Sequence, residues 1–402
     1  MRQLFSLRKG GSARLGRRRT GCALLFCGFV LGCGANSQAQ TTIMTIDAPG
    51  AGTSRGQGTG VGAINASGVI TGAFLDSNFG CHAFVRNADG TYITFDTPLG
   101  QHGIPTCPQT TTINKAGVIT GVEFDQSFGC ANWPETAGGC GGDHGFIRQP
   151  NGTITVFDGP IDPARSNPAT DPASINAEGA IVGRYWTADQ GSSSTSFLRS
   201  ADGAFITFDA PGTNNQATPG AVGINAARSI VGNFNDSNFF PHGYLRAPDG
   251  TFTIIDTPGA VGGTRIAGIN SSGEIAGFFS DSNTSHGYIR TPDGTFIAFD
   301  VPGACAGCIQ VTGLNDEGTV AGTFLVPDSS GFLAQHGFVR AADGTVTTFD
   351  VPGAVRVIFG HVLPFVGVAG INSSGAVVGS YSDANGVGHG YLRLSEDTGD
   401  QQ

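Results

Sequence analysis

The sequence predicts an all-β protein, a closed seven-bladed β-propeller of four-stranded blades, on three observations. A segment opened by Ile-Asn, or once by Leu-Asn, recurs seven times, at Asn65, Asn114, Asn176, Asn225, Asn270, Asn315 and Asn372. Each full copy contains four short runs of alternating apolar and polar residues between Gly, Asn and Asp. The last copy lacks its fourth run, and an orphan run of that kind at residues 42–50 can complete it. An open solenoid is the alternative, but it gives no reason for the split final unit.

The elements follow in order within a copy. Strand A ends in the Ile-Asn pair, and an Asn-x-x-Gly turn leads to strand B, Val69 to Leu75 in the first copy. A variable loop precedes strand C, which carries a His-Ala-Phe-Val-Arg type segment, and a short turn leads to strand D, which ends in Phe-Asp. The C–D turn reads x-(Ala/Pro)-Asp-Gly-Thr in most copies. This composition is typical of a hairpin loop with Gly in the left-handed conformation.

This turn predicts a register. If Asn87 faces Thr91, His82 faces Asp96 across strands C and D. Applied to every copy, the same rule predicts six pairs: His82–Asp96, His144–Asp158, His242–Asp256, His286–Asp300, His336–Asp350, and His389 with Asp47 of the orphan strand. In the third copy Thr195 takes the place of histidine, opposite Asp209.

The predicted His–Asp pairs are interpreted as structural. Six pairs spread around a ring cannot all surround one substrate, as a catalytic base must. We expect them to form a partly buried layer between the blades, because buried polar groups need partners. We therefore assign no catalytic residue to them.

The INxxGxIxG and H(A/G)(F/Y)(V/L/I)R elements resemble those of the HAF family of bacterial extracellular repeat proteins. His82-Ala83-Phe84 matches the triplet that names the family, and the resemblance covers residues 42–394. Most copies read HGF or HGY, and the third departs from the pattern with Thr195-Ser196-Phe197. The resemblance implies export and a propeller-like repeat architecture. It brings no established activity and no catalytic residue.

Residues 1–39 have the pattern of a secretory signal peptide. Seven Arg and Lys residues and no acids precede or flank an apolar run from Cys22 to Cys33, which is too short to span a bilayer. We expect cleavage after Ala39 and free secretion. The alternative is a lipobox ending at Cys33, which would leave a lipoprotein tethered to the cell envelope. Residues 40–396 are then the propeller, and residues 397–402 a disordered tail.

The net charge of the exported chain limits the classes of partner that it can bind. Of 21 Lys and Arg residues, seven leave with the signal, so about 14 remain against 31 Asp and Glu, a net charge of about −17. Nucleic acid is excluded as a partner because phosphate binding needs a basic surface. We expect a monomer without a transmembrane span in its mature part, and an extracellular protein or glycan as its partner.

Six cysteines follow the signal: Cys81, Cys107, Cys130, Cys140, Cys305 and Cys308. An even number in an exported chain indicates disulfides, and sequence leaves fifteen pairings open. We expect the three that join neighbours: Cys81–Cys107, Cys130–Cys140 and Cys305–Cys308.

No cofactor or metal site is predicted. Four B–C loops carry Asp-Ser-Asn or Asp-Ala-Asn, beginning at Asp76, Asp236, Asp281 and Asp383. Such oxygen clusters could bind Ca²⁺, but the Gly and distal Glu of an EF-type loop are missing, and these residues are ordinary turn formers. Cys305 and Cys308 lack the further ligands that zinc needs, and phosphate-loop, nucleophile-elbow and metalloprotease motifs are absent from their required settings.

The strongest departure from the repeat is the apolar D–A segment from Val355 to Val368. The long insertions fall in B–C and D–A loops, which emerge on one face of a propeller, and function tends to lie in such loops. Five residues make this segment a candidate binding loop: Ile358, Phe359, His361, Leu363 and Phe365. It either folds over the mouth of the channel or stays exposed as a contact patch.

Two functions are open. The first is an exported non-enzymatic scaffold that binds a protein or a glycan through the face that carries the B–C and D–A loops. The alternative is an extracellular propeller enzyme of glycosidase or lyase type, with carboxylates gathered at the central channel. A fold alone does not choose between them, but the A strands offer mainly small apolar residues and Asn, which favours the scaffold.

The disulfide prediction can be checked by mass mapping of non-reduced peptides from the exported protein. We expect the three neighbour pairs and a mature N-terminus at Gln40. Six free thiols would contradict both the pairing and the oxidising compartment.

Overall fold

The computed structural model describes residues 42–98, 108–124, 143–160, 169–186, 194–213, 220–358 and 361–395. These residues form thirty β-strands, β1 to β30. None of the described segments is a helix long and apolar enough to cross a membrane.

Seven four-stranded antiparallel units form the blades of a β-propeller, as the repeat predicted. The first four blades consist of β2 (Gly58–Ile64), β3 (Ile70–Leu75), β4 (Cys81–Arg86) and β5 (Tyr92–Phe95); β6 (Gln109–Ile113), β7 (Ile119–Phe124), β8 (Asp143–Arg148) and β9 (Ile154–Phe157); β10 (Ala169–Ile175), β11 (Ile181–Trp186), β12 (Thr195–Arg199) and β13 (Phe205–Phe208); and β14 (Gly220–Ile224), β15 (Ile230–Asn235), β16 (Pro241–Arg246) and β17 (Phe252–Ile255). The last three consist of β18 (Thr264–Ile269), β19 (Ile275–Ser280), β20 (Ser285–Arg290) and β21 (Phe296–Phe299); β22 (Ile309–Leu314), β23 (Val320–Pro327), β24 (Leu333–Arg340) and β25 (Val346–Phe349); and β28 (Val366–Ile371), β29 (Val377–Ser382), β30 (Gly388–Arg393) and the N-terminal β1 (Ile43–Ile46).

The N-terminal strand closes the ring. Strand β1 pairs antiparallel with β30, with Ile43 opposite Arg393, and so supplies the fourth strand that the last repeat lacks. A single parallel bridge between Gly58 and Gly388 also joins blade 7 to blade 1. The prediction of a propeller closed by its first strand is confirmed.

The C–D turns set the register that the sequence predicted. Asn87 N donates to Thr91 O over 2.8 Å, and Gly90 has φ 89°, in the left-handed region that glycine enters without steric cost. Strands β4 and β5 then pair Arg86 with Tyr92 and Ala83 with Phe95. This brings the start of strand C level with the end of strand D.

A closed ring of asparagine side chains connects the seven A–B turns. Each Asn Nδ2 donates to the backbone carbonyl of the equivalent Asn in the next blade over 2.9–3.3 Å, in the order Asn65, Asn114, Asn176, Asn225, Asn270, Asn315, Asn372 and back to Asn65. Each Oδ1 accepts the backbone N–H four residues ahead, closing its own A–B turn. One buried amide therefore satisfies its own turn and links it to the next blade.

The core lies between neighbouring blades, in seven apolar clusters, one at each interface. The interface of blades 7 and 1 contains Ile46 from β1 beside Phe84 and Leu392. Close approach inside the blades requires glycine on strand B. A Cβ on Gly72 would lie 2.1 Å from Gly60 O and 2.7 Å from the Phe84 ring. The repeated Gly of strand B is thus a packing requirement.

Arginine ends strand C in all seven blades and links most of them to the preceding blade. In five blades the guanidinium carbon lies 4.7–5.2 Å from the centre of a Phe ring on the previous D strand, in the pairs Arg148–Phe95, Arg199–Phe157, Arg246–Phe208, Arg340–Phe299 and Arg393–Phe349. In the other two, Ile46 and Ile255 occupy the Phe position. Cation–π contacts of this kind stabilise a partly desolvated interface.

Removing one member of the asparagine ring should destabilise the whole propeller. Asn315, which is 5% exposed, donates to Asn372 O and accepts from Glu317 N and Thr319 N. We expect Asn315→Ala to lower the free energy of unfolding by about 2–4 kcal/mol, since it leaves buried donors and acceptors without partners.

The matched control is Asn151→Ala in an exposed C–D turn, where the side chain accepts one bond, from Thr153 N. Urea denaturation should show a loss below about 1 kcal/mol for this control. Equal losses of unfolding free energy in the two variants would contradict the structural role of the asparagine ring.

Candidate functional site

One face of the propeller carries the B–C and D–A connections, and we call it the loop face. Strand C starts and strand D ends at this face, so the predicted histidines and aspartates lie there together. The asparagine ring lies at the A–B turns, on the opposite face. The two polar repeats of the sequence are therefore separated by the length of the strands.

The structure brings together all six predicted His–Asp pairs. The Nδ1 to Oδ1 distances are 2.7 Å for His82–Asp96, 2.5 Å for His144–Asp158, 2.6 Å for His242–Asp256, 2.5 Å for His286–Asp300, 2.7 Å for His336–Asp350 and 2.8 Å for His389–Asp47. The last pair joins the two ends of the chain, 342 residues apart, and couples closure of the ring to the same contact.

Two further contacts orient these imidazoles. In blade 5 the His286 ring lies 5.0 Å from the Phe279 ring, and His286 Nε2 lies 3.3 Å from Asp281 Oδ2 in the B–C turn. Burial lowers the pKa of His286, but the hydrogen bonds and charges of Asp300 and Asp281 outweigh burial and raise it above its ordinary value. His82, His242 and His389 likewise face Asp76, Asp236 and Asp383, at 3.8–4.0 Å.

The expected burial of the pairs is wrong for the aspartates. The histidine side chains are 14–30% exposed, but the aspartates are 42–74% exposed, with Asp300 the most open. The reason is geometric: strand D is the outermost strand of the blade, and the aspartate directly follows its last residue, outside the strand pairing. Water can satisfy Asp300, so loss of His286 does not leave a buried charge behind.

Blades 2 and 3 depart from this pattern. In blade 3, Thr195 replaces histidine, and desolvation raises the pKa of Asp209, although the Ser196 backbone N–H lowers it. In blade 2, Glu123 stands where every other blade has Phe or Tyr on strand B, opposite His144, and its side chain is fully buried. Glu123 was not predicted as a functional residue from the sequence. The signal that could have identified it is the replacement, in this one copy, of the aromatic residue that strand B carries at this position in the other six.

The A strands bring no set of acids to the channel. Asp171 is the only carboxylate on the seven described A strands, and Arg184 pairs with it through Nε at 3.0 Å and Nη2 at 2.9 Å. The arrangement that the enzyme alternative requires, several carboxylates converging at the channel, is not formed by the A strands as described.

The B–C aspartates act as turn caps. Asp76 Oδ1 accepts the N–H groups of Asn78 and Gly80 over 2.8 and 2.7 Å, and the Gly80 bond contributes most to lowering the pKa of Asp76. Within the described ranges no group of three or more His, Cys, Asp or Glu side chains is placed to hold a metal ion.

The described cysteines, Cys81, Cys305 and Cys308, also lie at the loop face. Cys305 and Cys308 form a disulfide in the D–A loop of blade 5, with Cα atoms 5.2 Å apart, which confirms that predicted pair. Cys81 is also disulfide-bonded. Cys107, Cys130 and Cys140 lie outside the described residues, so the other two predicted pairs stay predictions.

The candidate binding loop forms a β-hairpin that the sequence did not predict. Strand β26 (Val355–Ile358) pairs with β27 (His361–Pro364), with Ile358 opposite His361. Leu363 is buried, whereas Val357 and Val362 are among the most exposed apolar side chains. The hairpin thus has one covered and one open face. Phe359 lies outside the described residues.

The hairpin packs against blades 6 and 7. The His361 ring centre lies 4.3 Å from that of Phe332 in the blade 6 B–C loop. Directly after the hairpin, Gln335 Nε2 of blade 6 donates to Val366 O of blade 7 over 2.8 Å. The pairing of β26 with β27 leaves Phe365 between the hairpin and strand β28, where the Arg356 guanidinium lies 5.1 Å from its ring.

A groove of about 570 Å³ opens between the hairpin, the B–C turn of blade 7 and the segment before β2. Its polar lining consists of Arg55, Arg356, Ser382, Asp383 and Asn385, and Phe365 is its aromatic wall. Neither guanidinium forms an ion pair with a carboxylate in the described part of the chain. The nearby Asp383 accepts the N–H groups of Asn385 and Val387 through Oδ1 and bonds the Asn385 side chain through Oδ2. The groove therefore presents two arginines whose charge is not neutralised.

Comparison with known proteins supports the fold. No family model matches the chain, and no curated protein matches its sequence. Among solved structures, the chain is similar to a streptogramin B lyase (TM-score 0.54, 14% identity, covering 88% of this chain and 98% of that one). It is also similar to virginiamycin B lyase from Staphylococcus aureus (0.53, 12%, 89% and 100%). A third match is the β-propeller domain of the Trilobed protease from Pyrococcus furiosus (0.51, 12%, 85% and 99%). At these identities the likeness concerns the fold alone.

The carboxylates around His286 predict a pH-dependent contribution to stability. Because the folded-state pKa of His286 is raised, the contribution is full below the unfolded pKa of about 6.5 and is lost as pH rises through the folded value. We expect wild type to exceed His286→Gln in melting temperature by more at about pH 5.5 than at about pH 8.5.

The matched control is Asp300→Asn, which removes one of the two carboxylates that raise this pKa. In a protein that carries Asp300→Asn, the loss of melting temperature caused by His286→Gln should differ less between the two pH values. A difference that is constant across pH, or larger at the higher pH, would contradict this account of His286.

Proposed function

We propose that this protein is an exported, non-enzymatic β-propeller of the HAF repeat type that binds an anionic glycan in the groove beside the hairpin. The observation that carries the proposal is the pair of guanidinium groups, Arg55 and Arg356, that face the groove without a carboxylate partner among the described residues. The rest of the exported chain is strongly acidic, so two arginines that line one groove and have no carboxylate partner among the described residues mark a place for an anion.

The chemistry of the groove fits a carboxylate- or sulfate-bearing sugar. A guanidinium presents parallel N–H donors in a planar fork that matches a carboxylate or sulfate in two-point hydrogen bonding. Phe365 offers an apolar wall for the C–H face of a sugar ring. Ser382 and Asn385 supply donors and acceptors for hydroxyl groups. The volume of about 570 Å³ lies within the range of small-ligand sites.

Binding is favoured over catalysis by how the titratable groups are distributed. The His–Asp pairs are repeated around the ring, and their imidazoles are held by flanking aspartates and aromatic rings, which is a structural use. Asp171, the one acid on the A strands as far as they are described, is paired with Arg184. Among the described residues that line the groove, the one carboxylate is Asp383, which is engaged in its own turn.

Export is supported by the character of residues 1–39 and by the cystine in the loop of blade 5. Disulfides persist in oxidising compartments outside the cytosol. A closed propeller with a disulfide in its loop face suits an extracellular binding protein, because the cross-link helps to keep the contact residues in position outside the cytosol.

The groove can be tested with the double variant Arg55→Ala/Arg356→Ala. Isothermal titration with a hexauronate should show at least about a tenfold loss of affinity, since each charge-assisted hydrogen bond is worth about 1.5–3 kcal/mol. Wild-type affinity should fall as salt is raised, because the contacts are ionic and partly exposed.

Arg265→Ala is the matched control, because Arg265 is an exposed arginine on β18, outside the groove. The control should keep both affinity and melting temperature. Equal affinity of the double variant and wild type would contradict the proposal. Cleavage of the hexauronate by wild type would replace the scaffold with the enzyme alternative.

A further inference from the structure

Four B–C turns of the loop face share one backbone conformation. In blades 1, 4, 6 and 7 an aspartate opens a five-residue turn, and its Oδ1 accepts the N–H groups two and four residues ahead over 2.7–2.9 Å. In each turn the fourth residue donates its N–H to the carbonyl of that aspartate over 3.0–3.1 Å. The fourth residue must therefore adopt a positive φ.

Two of these turns place phenylalanine at the position that requires the left-handed conformation. Blades 6 and 7 have Gly331 and Gly386 there, with φ 82° and 78°, whereas blades 1 and 4 have Phe79 and Phe239, each with φ 63°. A bulky side chain is disfavoured in this region, and glycine is the residue that adopts it without cost.

Burial does not compensate for this strain. Phe79 is 52% exposed and Phe239 is 61% exposed, and both rank among the most exposed large apolar residues of the described chain. Phenylalanine at these two positions therefore strains the backbone and contributes little stability through packing. Strain that persists in a well-determined turn indicates a role other than folding.

The same set of polar groups occurs in or next to each of the two turns. Asp76, which caps the Phe79 turn, lies 3.8 Å from His82 Nε2, and His82 Nδ1 bonds Asp96, which is 51% exposed. In blade 4, Asp236 lies 3.8 Å from His242 Nε2, and His242 Nδ1 bonds Asp256, which is 52% exposed. Both turns also carry an exposed asparagine, Asn78 or Asn238.

We propose that Phe79 and Phe239 are two equivalent platforms on which pyranose units of the glycan stack, with Asp96 and Asp256 accepting hydrogen bonds from sugar hydroxyls. The proposal deepens the proposed function, and it rests on the ligand being a glycan. A pyranose has one apolar C–H face and a rim of hydroxyls, which is the complement of an exposed aromatic ring beside carboxylates and amides.

A glycan fits these platforms better than a protein does. A stable protein interface buries roughly 800 Å² on each partner around a packed apolar centre, whereas each site here is one exposed ring in a turn that also carries aspartate and asparagine. Two identical sites on one face of one chain suit a polymer whose unit repeats, and binding both units of one polymer raises its apparent affinity without any new contact.

The test uses Phe79→Gly, Phe239→Gly and the double variant. Because glycine occupies the same position in blades 6 and 7, these variants should fold with melting temperatures within about 2 °C of wild type or higher. On an array of neutral and uronate hexasaccharides, the double variant should lose at least tenfold in affinity for the bound sugars. Each single variant should lose less. Phe239→Trp, which keeps an aromatic face, should retain binding.

Val261→Ala is the matched control, because Val261 is 60% exposed in the D–A loop before β18 and lacks an aromatic ring. Unchanged binding by the double glycine variant would overturn the inference, as would a melting temperature lowered by several degrees in both single variants. If only the arginine variant loses uronate binding, the proposed groove is supported and the stacking role of the phenylalanines is contradicted. If only the phenylalanine variants lose binding, the stacking role is supported and the proposed groove is contradicted. A wild-type protein that binds no sugar overturns both.

Discussion

The asparagine ring is the contact on which the rest of the propeller depends. Each buried amide holds its own A–B turn through Oδ1 and the next blade through Nδ2. Seven such links return to their starting residue, since Asn372 donates to Asn65 O over 3.3 Å. Because the amide is buried, a missing link would leave an unsatisfied donor and an unsatisfied carbonyl, which is costly. The number of blades is thereby tied to a complete circuit of hydrogen bonds.

Contacts between and within the blades reinforce this circuit. Apolar clusters fill the space between neighbouring blades, and arginines at the ends of the C strands lie over the phenylalanines of the preceding D strands in five of seven interfaces. The His–Asp pairs hold the opposite edge, where Asp47 and His389 join the two ends of the chain. In six of the seven blades both ends of the strands are thus fixed by repeated polar contacts, and the loops of the loop face can vary in length and sequence.

This division explains why the loop face can carry strain and unneutralised charge. Phe79 and Phe239 are held in the left-handed region by capping bonds from Asp76 and Asp236, which the turn would form with glycine as well. Arg55 and Arg356 need no carboxylate partners to keep the hairpin in place, because Leu363 is buried and His361 packs on Phe332. The scaffold supplies the stability, so residues on this face can be chosen for a ligand. A repeat protein gains its function in this way, where single copies depart from the pattern.

Repeat number, strand register and closure by the first strand were determined by the sequence alone, because they depend on local turn chemistry and alternation that recur in each copy. The turn ending in Gly90 sets the pairing of β4 with β5, and the same rule places Asp47 opposite His389. Exposure of the aspartates and the hairpin of β26 and β27 were decided by tertiary structure. Solvent access to Asp300 depends on its place at the outer edge of a blade, and the hairpin that pairs Val355 with Pro364 also packs against two blades, whose contact residues lie outside the hairpin in sequence. The groove was hidden for the same reason: Arg55 and Arg356 lie 301 positions apart, and only closure of the ring brings them to one cavity.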